Sequence, residues 1–354
     1  MAIPVENIYY LLCYAYDHAT SRDLVDVGAI RGGRIEALFA HVLSRATERL
    51  LKRGIDRSYS PVEETLRGVR NKIVLSETVR RGLQLRGELH CSFSELSEDT
   101  AANRLLRLTL RRLSCCAGVH AAQRGHLIRL ARRIHAADVD DARALFSQLQ
   151  MHGNIAHYRL PLAICRLLHE HAFANEGETG TRFIDFSEDE TVMGDLFEDF
   201  IRRFIALEIP QARLGARRLA WESTGTTDDH IRWLPGLVTD VPVVWPEGDT
   251  IIECKYYANP TQVHRETERL RSAHLNQLFA YLTNWGTPRG TKPNGLLLYA
   301  SPGRGLRVDL RLQGYEVQVR TVNLDQGWEA VDTELRRVVE GMRRVPSVSM
   351  QATL

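Results

Sequence analysis

Apolar positions along this chain keep two rhythms, a helical spacing that dominates the first half and a strand-rich alternation in the second. In "IPVENIYYLLCYAYDHA", Ile8, Leu11, Leu12 and Ala15 recur at helical spacing behind Pro4, which predicts a helix crowded with Tyr9, Tyr10, Tyr14 and Tyr16. A second helix is expected over 34–53, ending near Gly54. Strands follow at "RSYSPVEETL" and "LHCSFSEL", with a short helix around 75–82 between them. "DTAANRLLRLTLRRLSCCAGV" reads as a long amphipathic helix whose other face carries Arg104, Arg107, Arg111 and Arg112, and a further basic helix holds Arg129, Arg132 and Arg133. "YRLPLAICRLLHEHAFA" is one more helix. Its His169 and His171 are two apart and point in different directions, which argues against a joint metal site.

The polar, glycine-bearing stretch "NEGETGT" (175–181) reads as a linker, so two domains are expected, residues 1–175 and 181–354. A length of 354 residues, long for one hydrophobic core, agrees. Beyond the linker, "RFIDFS" and "RRLAWEST" read as strands flanking a helix over "EDETVMGDLFEDFIRRFIALEI". "LVTDVPVVW" and "TIIECKYY" are apolar strands that the turn "PEGD" joins into a hairpin. A helix from about 262 to 284, strands at "GLLLYAS" and "YEVQVRTVNL", and a final helix from about 326 to 343 complete the reading. The core order is helix, three strands, helix, strand. The fold class is therefore α/β with two domains: a mixed α+β N-terminal domain, then an α-β-β-β-α-β core.

With 44% hydrophobic and 25% charged residues, the chain reads as soluble and globular. No apolar run approaches the roughly 20 residues of a membrane span, and the N-terminus lacks the marks of a signal peptide, so a cytoplasmic protein without membrane contact is expected. Six cysteines without a CxxC pair fit buried, reduced thiols. The net charge of +2 neither demands nor excludes nucleic acid, but its distribution is uneven. Residues 1–180 carry 25 basic and 20 acidic side chains, and residues 181–354 carry 21 and 24. A second half that cuts DNA would need something else to hold its substrate.

Among 46 basic residues only Lys52, Lys72, Lys255 and Lys292 are lysines, so a lysine inside an apolar strand stands out. Strand alternation puts Glu253 and Lys255 on one face, with Cys254 turned away, and the hairpin brings Asp240 alongside. Two carboxylates are hard ligands that suit Mg2+, which usually takes one or two of them and keeps several waters. A compact ammonium beside such an ion can orient a water or offset charge during phosphodiester hydrolysis. "ECK" by itself is weak; its placement on an apolar strand, where unpaired charge is costly, raises its value. A buried ion pair between Lys255 and a neighbouring acid is the alternative reading of the same residues. On the next helix, "HLNQLFAYL" sets Gln277 and Tyr281 four apart on one face.

"TD" at 239–240, "ECK" at 253–255 and "QLFAY" at 277–281 resemble the pattern of the PD-(D/E)xK (restriction-endonuclease-like) nucleases, with the QxxxY extension of their RecB-like branch. Glu198 lies where that superfamily often places an auxiliary acid. Thr239 replaces the motif's usual proline, which does no chemistry. Pro242 removes a ladder donor and suggests a bulge or an edge. A wider resemblance rests on "IPVENIYYLLCYAYD", "LSEDTAANRLLRLTL", "RFIDFSEDE", "LVTDVPV", "IIECKYY" and "TVNLDQGWEAVDTELRRV". These stretches are similar to the McrC family, the nuclease subunits of McrBC modification-dependent restriction systems.

That resemblance implies an N-terminal region docking on an McrB-like AAA+ GTPase ring, and a C-terminal region cutting double-stranded modified DNA. It implies Asp240, Glu253 and Lys255 as catalytic residues, Asp240 and Glu253 as ligands of Mg2+, and Glu198, Gln277 and Tyr281 as auxiliary residues. The triplet acid is Glu here where many relatives have Asp. GTP would be bound by the partner. The residues agree, because "GTPRGTKPNG" around Lys292 lacks the spacing of a phosphate loop and no other candidate occurs. Arg104, Arg107, Arg111, Arg112, Arg129, Arg132 and Arg133 are candidate contacts to acidic ring residues or to DNA. A stand-alone RecB-like DNA nuclease of repair or defence is the alternative, as is a non-catalytic adaptor that stimulates a partner GTPase.

Overall fold

The computed structural model describes residues 3–16, 33–149, 153–173, 183–222, 228–257, 259–264, 267–286, 292–301 and 305–343. Two compact units are present, Met1–Leu38 with Ile184–Leu354, and Phe39–Phe183. The expected linker 175–181 lies outside the described residues, except that the change of unit at 183–184 falls just beyond it.

In chain order the elements begin with α1 (Val5–Ala15), starting directly behind Pro4, and α2 (Ile35–Arg53), inside which the division between units falls. The Phe39–Phe183 unit continues with β1 (Ser58–Leu66), β2 (Lys72–Ile73), α3 (Leu75–Arg80), β3 (Leu89–Ser97), α4 (Ala101–Cys115), α5 (Ala121–Arg133), α6 (Arg143–Gln148) and α7 (Arg159–Leu167). Its sheet has the order β1-β3-β2. Buried Asn103 fastens this sheet to the helices. Its Nδ2 donates to the Asp56 and Glu98 carbonyls (2.8 and 2.6 Å) while its Oδ1 accepts from Tyr158 (2.7 Å), so no polar group of the amide is left unmatched.

The arginine stripe of α4 is not a free basic face. Arg104 grips Asp99 with two bonds of 2.6 Å, Arg111 pairs with Asp138 (2.5 Å), and Arg107 donates to the Ile134 and Ala136 carbonyls (3.0 and 2.9 Å). Arg112 donates to the Asp140 carbonyl (2.7 Å) and approaches His169 (3.2 Å). Arg107, Arg111 and Arg112 hold the segment after α5 in place, so the stripe is not simply a solvated charged face. Arg132 and Arg133 on α5 do stand exposed. His169 is half-buried against Thr109 (3.0 Å) while His171 lies 4.0 Å from Glu170, so the two do not converge.

The second unit holds α8 (Glu190–Glu208), β4 (Arg213–Leu214), β5 (Arg218–Leu219), α9 (Asp228–Ile231), β6 (Leu237–Val238), β7 (Val241–Trp245), β8 (Gly248–Tyr256), β9 (Thr261–His264), β10 (Thr267–Leu270), α10 (Ser272–Asn284), β11 (Asn294–Ala300), β12 (Arg307–Leu312), β13 (Tyr315–Val322) and α11 (Trp328–Glu340). Its six-stranded sheet runs β12-β13-β11-β8-β7-β4. β8 pairs antiparallel with β7 and parallel with β11, so the sheet is mixed. Asp189 caps α8 by accepting from Thr191 and Val192 N–H (2.9 and 3.2 Å), and the helix buries Met193, Phe197, Phe200 and Phe204 at three- and four-residue spacing.

A helix, three sheet strands, a helix and a strand occur in chain order as α8, β4, β7, β8, α10 and β11, but the first strand is Arg213–Leu214 and not the expected "RRLAWEST", and shorter elements intervene. "RFIDFS" contributes only a bridge at Phe183 before a tight turn, because the Asp185 side chain captures the Ser187 N–H (2.9 Å). "RRLAWEST" supplies only the two-residue β5, paired with β6 outside the main sheet. The helix expected from about 262 starts at Ser272; the residues before it form the β9–β10 hairpin, where threonine and valine favour extended chain. β12 and its two-residue turn were not foreseen. Gln313 and Gly314 both take positive φ there (+49° and +82°), as a tight hairpin requires.

Pro242 makes neither a bulge nor an edge. Its carbonyl accepts from the Gly215 N–H (2.9 Å), so its polar groups point toward β4, and β7–β8 pairing runs through it unbroken. The domain boundary expected after residue 175 also changes at the N-terminus, because α1 belongs with residues 184–354. Tyr10 stacks on Trp328 (4.4 Å between rings), Tyr14 meets Phe200 edge-on (5.4 Å), and Asn7 Nδ2 donates to the Leu324 and Gln326 carbonyls (2.7 Å each). The crowding of tyrosines on α1 is thereby explained by aromatic packing.

Candidate active site

β7 and β8 turn through Pro246 and Glu247, with Trp245 opposite Gly248 and Val241 opposite Ile252. One further step of that register sets Asp240 opposite Glu253. The strand is interrupted at Thr239–Asp240, between β6 and β7, and the Asp240 side chain supplies the missing rung. Its Oδ2 accepts the Cys254 N–H at 2.8 Å.

Glu253 is fully buried and Asp240 nearly so. Lys255 Nζ lies 2.5 Å from Glu253 Oε1 and donates to Gln277 Oε1 at 3.1 Å, while Gln277 Nε2 donates to the Tyr281 hydroxyl at 3.0 Å. α10 comes close enough to make this chain because β11 has Gly295 beneath it. A Cβ there would stand 3.0 Å from both Leu278 and Leu282. The structure thus brings together Asp240, Glu253, Lys255, Gln277 and Tyr281.

Glu198, on α8, lies beside the same group and interacts electrostatically with Asp240 and Glu253, but its Oε1 is held by Arg217. Arg217 Nε also donates to the Thr239 carbonyl (2.9 Å). In return, Thr239 N–H (2.9 Å) and Oγ1 (3.3 Å) donate to the Arg217 carbonyl. Sequence reasoning missed this arginine. It sits next to Arg218 without any distinguishing spacing, and its carboxylate partner is 19 residues away.

Burial raises the Asp240 carboxyl above its ordinary range, against the pull of the Cys254 N–H and of Lys255 and Arg217. Glu253 is driven up by burial and then by Asp240, with Lys255 opposing. Burial and Asp240 bring Glu198 to about 7, despite Arg217. Burial works to lower Lys255, yet Glu253 and Asp240 more than offset it, so the ammonium holds its proton more firmly than usual. Carboxylates crowded in this way repel one another until a cation relieves them.

The donor set fits a hard divalent cation. Glu253 Oε2 is buried with no hydrogen-bond partner among the described residues, an acceptor left open on a fully buried side chain. One or two carboxylates are what Mg2+ usually takes from a protein, and Asp240 and Glu253 offer two. Among the described residues no group of three or more His, Cys, Asp or Glu side chains is arranged to hold a metal, so Glu198 does not join the other two as a ready third ligand. Lys292 does not act as a phosphate-loop lysine, since its Nζ donates to the Gln313 carbonyl (2.8 Å) and lies over the Tyr315 ring. No helix among the described residues is long and apolar enough to cross a membrane.

Comparison with known proteins identifies the family. The chain is 27% identical over 334 residues to the type IV methyl-directed restriction enzyme EcoKMcrBC of Escherichia coli K12, covering 94% of this chain and 96% of that protein. Its fold is similar to a chain in an assembly of Thermococcus gammatolerans McrB AAA+ hexamers with bound McrC. That match has a TM-score of 0.58 at 16% identity, over 95% of this chain and 75% of the other. The family model described as McrBC 5-methylcytosine restriction system component matches residues 6–300, which include Asp240, Glu253, Lys255 and the α10 pair. This chain belongs to that family.

Proposed function

We propose that this chain is the Mg2+-dependent DNA endonuclease subunit of a GTP-dependent, modified-cytosine-specific (type IV) restriction complex, built on a PD-(D/E)xK core. One observation carries the reading: Asp240 and Glu253 converge from paired strands beside Lys255, with a buried Glu253 oxygen left without a partner. The α8-β4-β7-β8-α10-β11 order supports the core assignment.

Asp240 and Glu253 would hold the Mg2+. When bound, such an ion polarises a phosphoryl oxygen and lowers the pKa of water. Lys255 stays protonated and so contributes positive charge where negative charge develops on the phosphoryl group, instead of acting as a base. Glu253 and Gln277 fix the direction of its ammonium, and Tyr281 fixes Gln277. An arginine could not replace it, because a planar fork does not fit a position defined by two acceptors around one nitrogen.

The partner in this reading is an McrB-like AAA+ GTPase ring, which supplies DNA affinity and GTP hydrolysis, and whose GTPase this chain stimulates. Docking falls to the Phe39–Phe183 unit. Its exposed Tyr59, Val69, Leu75, Val79, Leu85 and Leu96, all from β1 through β3, are apolar groups of the kind that mark interaction surfaces. Incubating modified plasmid with Mg2+, GTP, the chain and its McrB-like partner tests the proposal. Double-strand cleavage should need all of them, and cleavage by the chain with Mg2+ alone would replace this reading with a stand-alone nuclease.

A further inference from the structure

Thr239 and Arg217 form a clamp immediately before Asp240. The Arg217 carbonyl receives both the N–H and the hydroxyl of Thr239, at 2.9 and 3.3 Å, while Arg217 Nε returns a bond to the Thr239 carbonyl at 2.9 Å. That carbonyl belongs to the peptide unit carrying the Asp240 N–H, so the guanidinium grips the plane from which Asp240 departs. Thr239 is wholly buried, and its N–H bond to the Arg217 carbonyl extends the β5–β6 pairing by one residue, to the point where the strand is interrupted before β7. The Nη2 of the same guanidinium is ion-paired with Glu198 on α8. A planar fork holding two acceptors at fixed spacing is a task that arginine performs and lysine does not.

We propose that Arg217 is the positioning residue for Asp240, and that Glu198 acts through Arg217, as its anchor, not as a third ligand of the cation. The inference rests on the reading of Asp240 and Glu253 as cation-binding carboxylates. It also gives Thr239 a purpose at a position where the motif usually has proline. A proline would lack the N–H that donates to Arg217.

Mn2+ binding by the purified full-length chain, followed by electron paramagnetic resonance, tests the proposal without any need for cleavage. Arg217→Ala and Glu198→Ala should each weaken binding by about tenfold to a hundredfold, the usual effect of losing a group that orients a ligand. The double variant should bind no more weakly than Arg217→Ala alone, because both changes break one device. Glu198→Gln, which still accepts from the guanidinium, should stay within about threefold of the unaltered chain. Losses that add in the double variant, or a Glu198→Gln as weak as Glu198→Ala, would overturn the proposal in favour of an independent ligand. If Arg217→Ala does not fold, the same cycle is run with Arg217→Lys, which keeps the charge and loses the fork. An unaltered chain that fails to bind Mn2+ at all would instead remove the cation reading on which both rest.

Discussion

The Cys254 N–H donates to Asp240 Oδ2 at 2.8 Å, so the strand that bears Glu253 and Lys255 also fixes the carboxylate that faces them. Charge and hydrogen bonding can be separated here. Asp240→Asn keeps an acceptor for Cys254 and loses the charge, so the chain should stay folded while Mn2+ binding and cleavage disappear. Asp240→Ala also strands a buried donor and should cost a further 1–3 kcal/mol or so, measured by urea unfolding. Equal stability of the two variants would argue that the Cys254 bond contributes nothing.

The crowded carboxylates make stability depend on pH in an unusual direction. Glu198 is raised from its ordinary 4.5 to about 7, and Asp240 and Glu253 are raised too, so these three groups hold more protons in the folded chain than in the unfolded one. Their contribution is fully present below the ordinary carboxylate range and is lost as pH rises through about 7. Without divalent cation, the melting temperature should fall between about pH 7 and pH 8, above the range where His157, His169 and His274, which burial keeps neutral, add stability as pH rises. Added Mg2+ should restore it more at the higher pH, where the ligands are ionised. Calorimetry across that range checks both statements, and a cation-free melting temperature that rises with pH would contradict them.

α1 is part of the fold that carries the site. Asn7 holds the Leu324 and Gln326 carbonyls, and Tyr10 covers Trp328, so residues 181–354 expressed alone would leave an aromatic surface open. That fragment should bind the dye ANS and lack near-ultraviolet circular dichroism, the signs of lost packing. A cooperative, native-like fragment would show that α1 is dispensable. In the full chain, Asn7→Ala should destabilise by about 1–3 kcal/mol, since the buried Leu324 carbonyl and the part-buried Gln326 carbonyl lose their donor.

Much of this was legible in the sequence because it is local. The helices α1, α2, α4 and α8 follow from apolar spacing and capping residues, and the hairpin joining β7 to β8 follows from alternation and its turn. The convergence of Asp240 with Glu253 and Lys255 followed from the pleat alone. What escaped depends on partners distant in the chain. The pattern of α1 shows an apolar face but not that Trp328 covers it, and the arginines of α4 look like a solvated stripe until Asp99 and Asp138 are seen to meet them. Arg217 is invisible for the same reason, since nothing near it in sequence announces Glu198 or Thr239. Thr239 stands where the motif has a proline that does no chemistry, yet its N–H is in use.

The central claim is that Lys255 serves cleavage and nothing else in the complex. It is tested most directly by Lys255→Ala in the full chain, assembled with the McrB-like partner, Mg2+, GTP and modified plasmid. Removing the ammonium leaves Glu253 buried without its cation and takes positive charge from the site, a loss that at charge-stabilising positions costs about a hundredfold or more in rate. The account predicts that double-strand cleavage disappears while partner binding and stimulated GTP turnover persist. Cleavage retained by Lys255→Ala would contradict it.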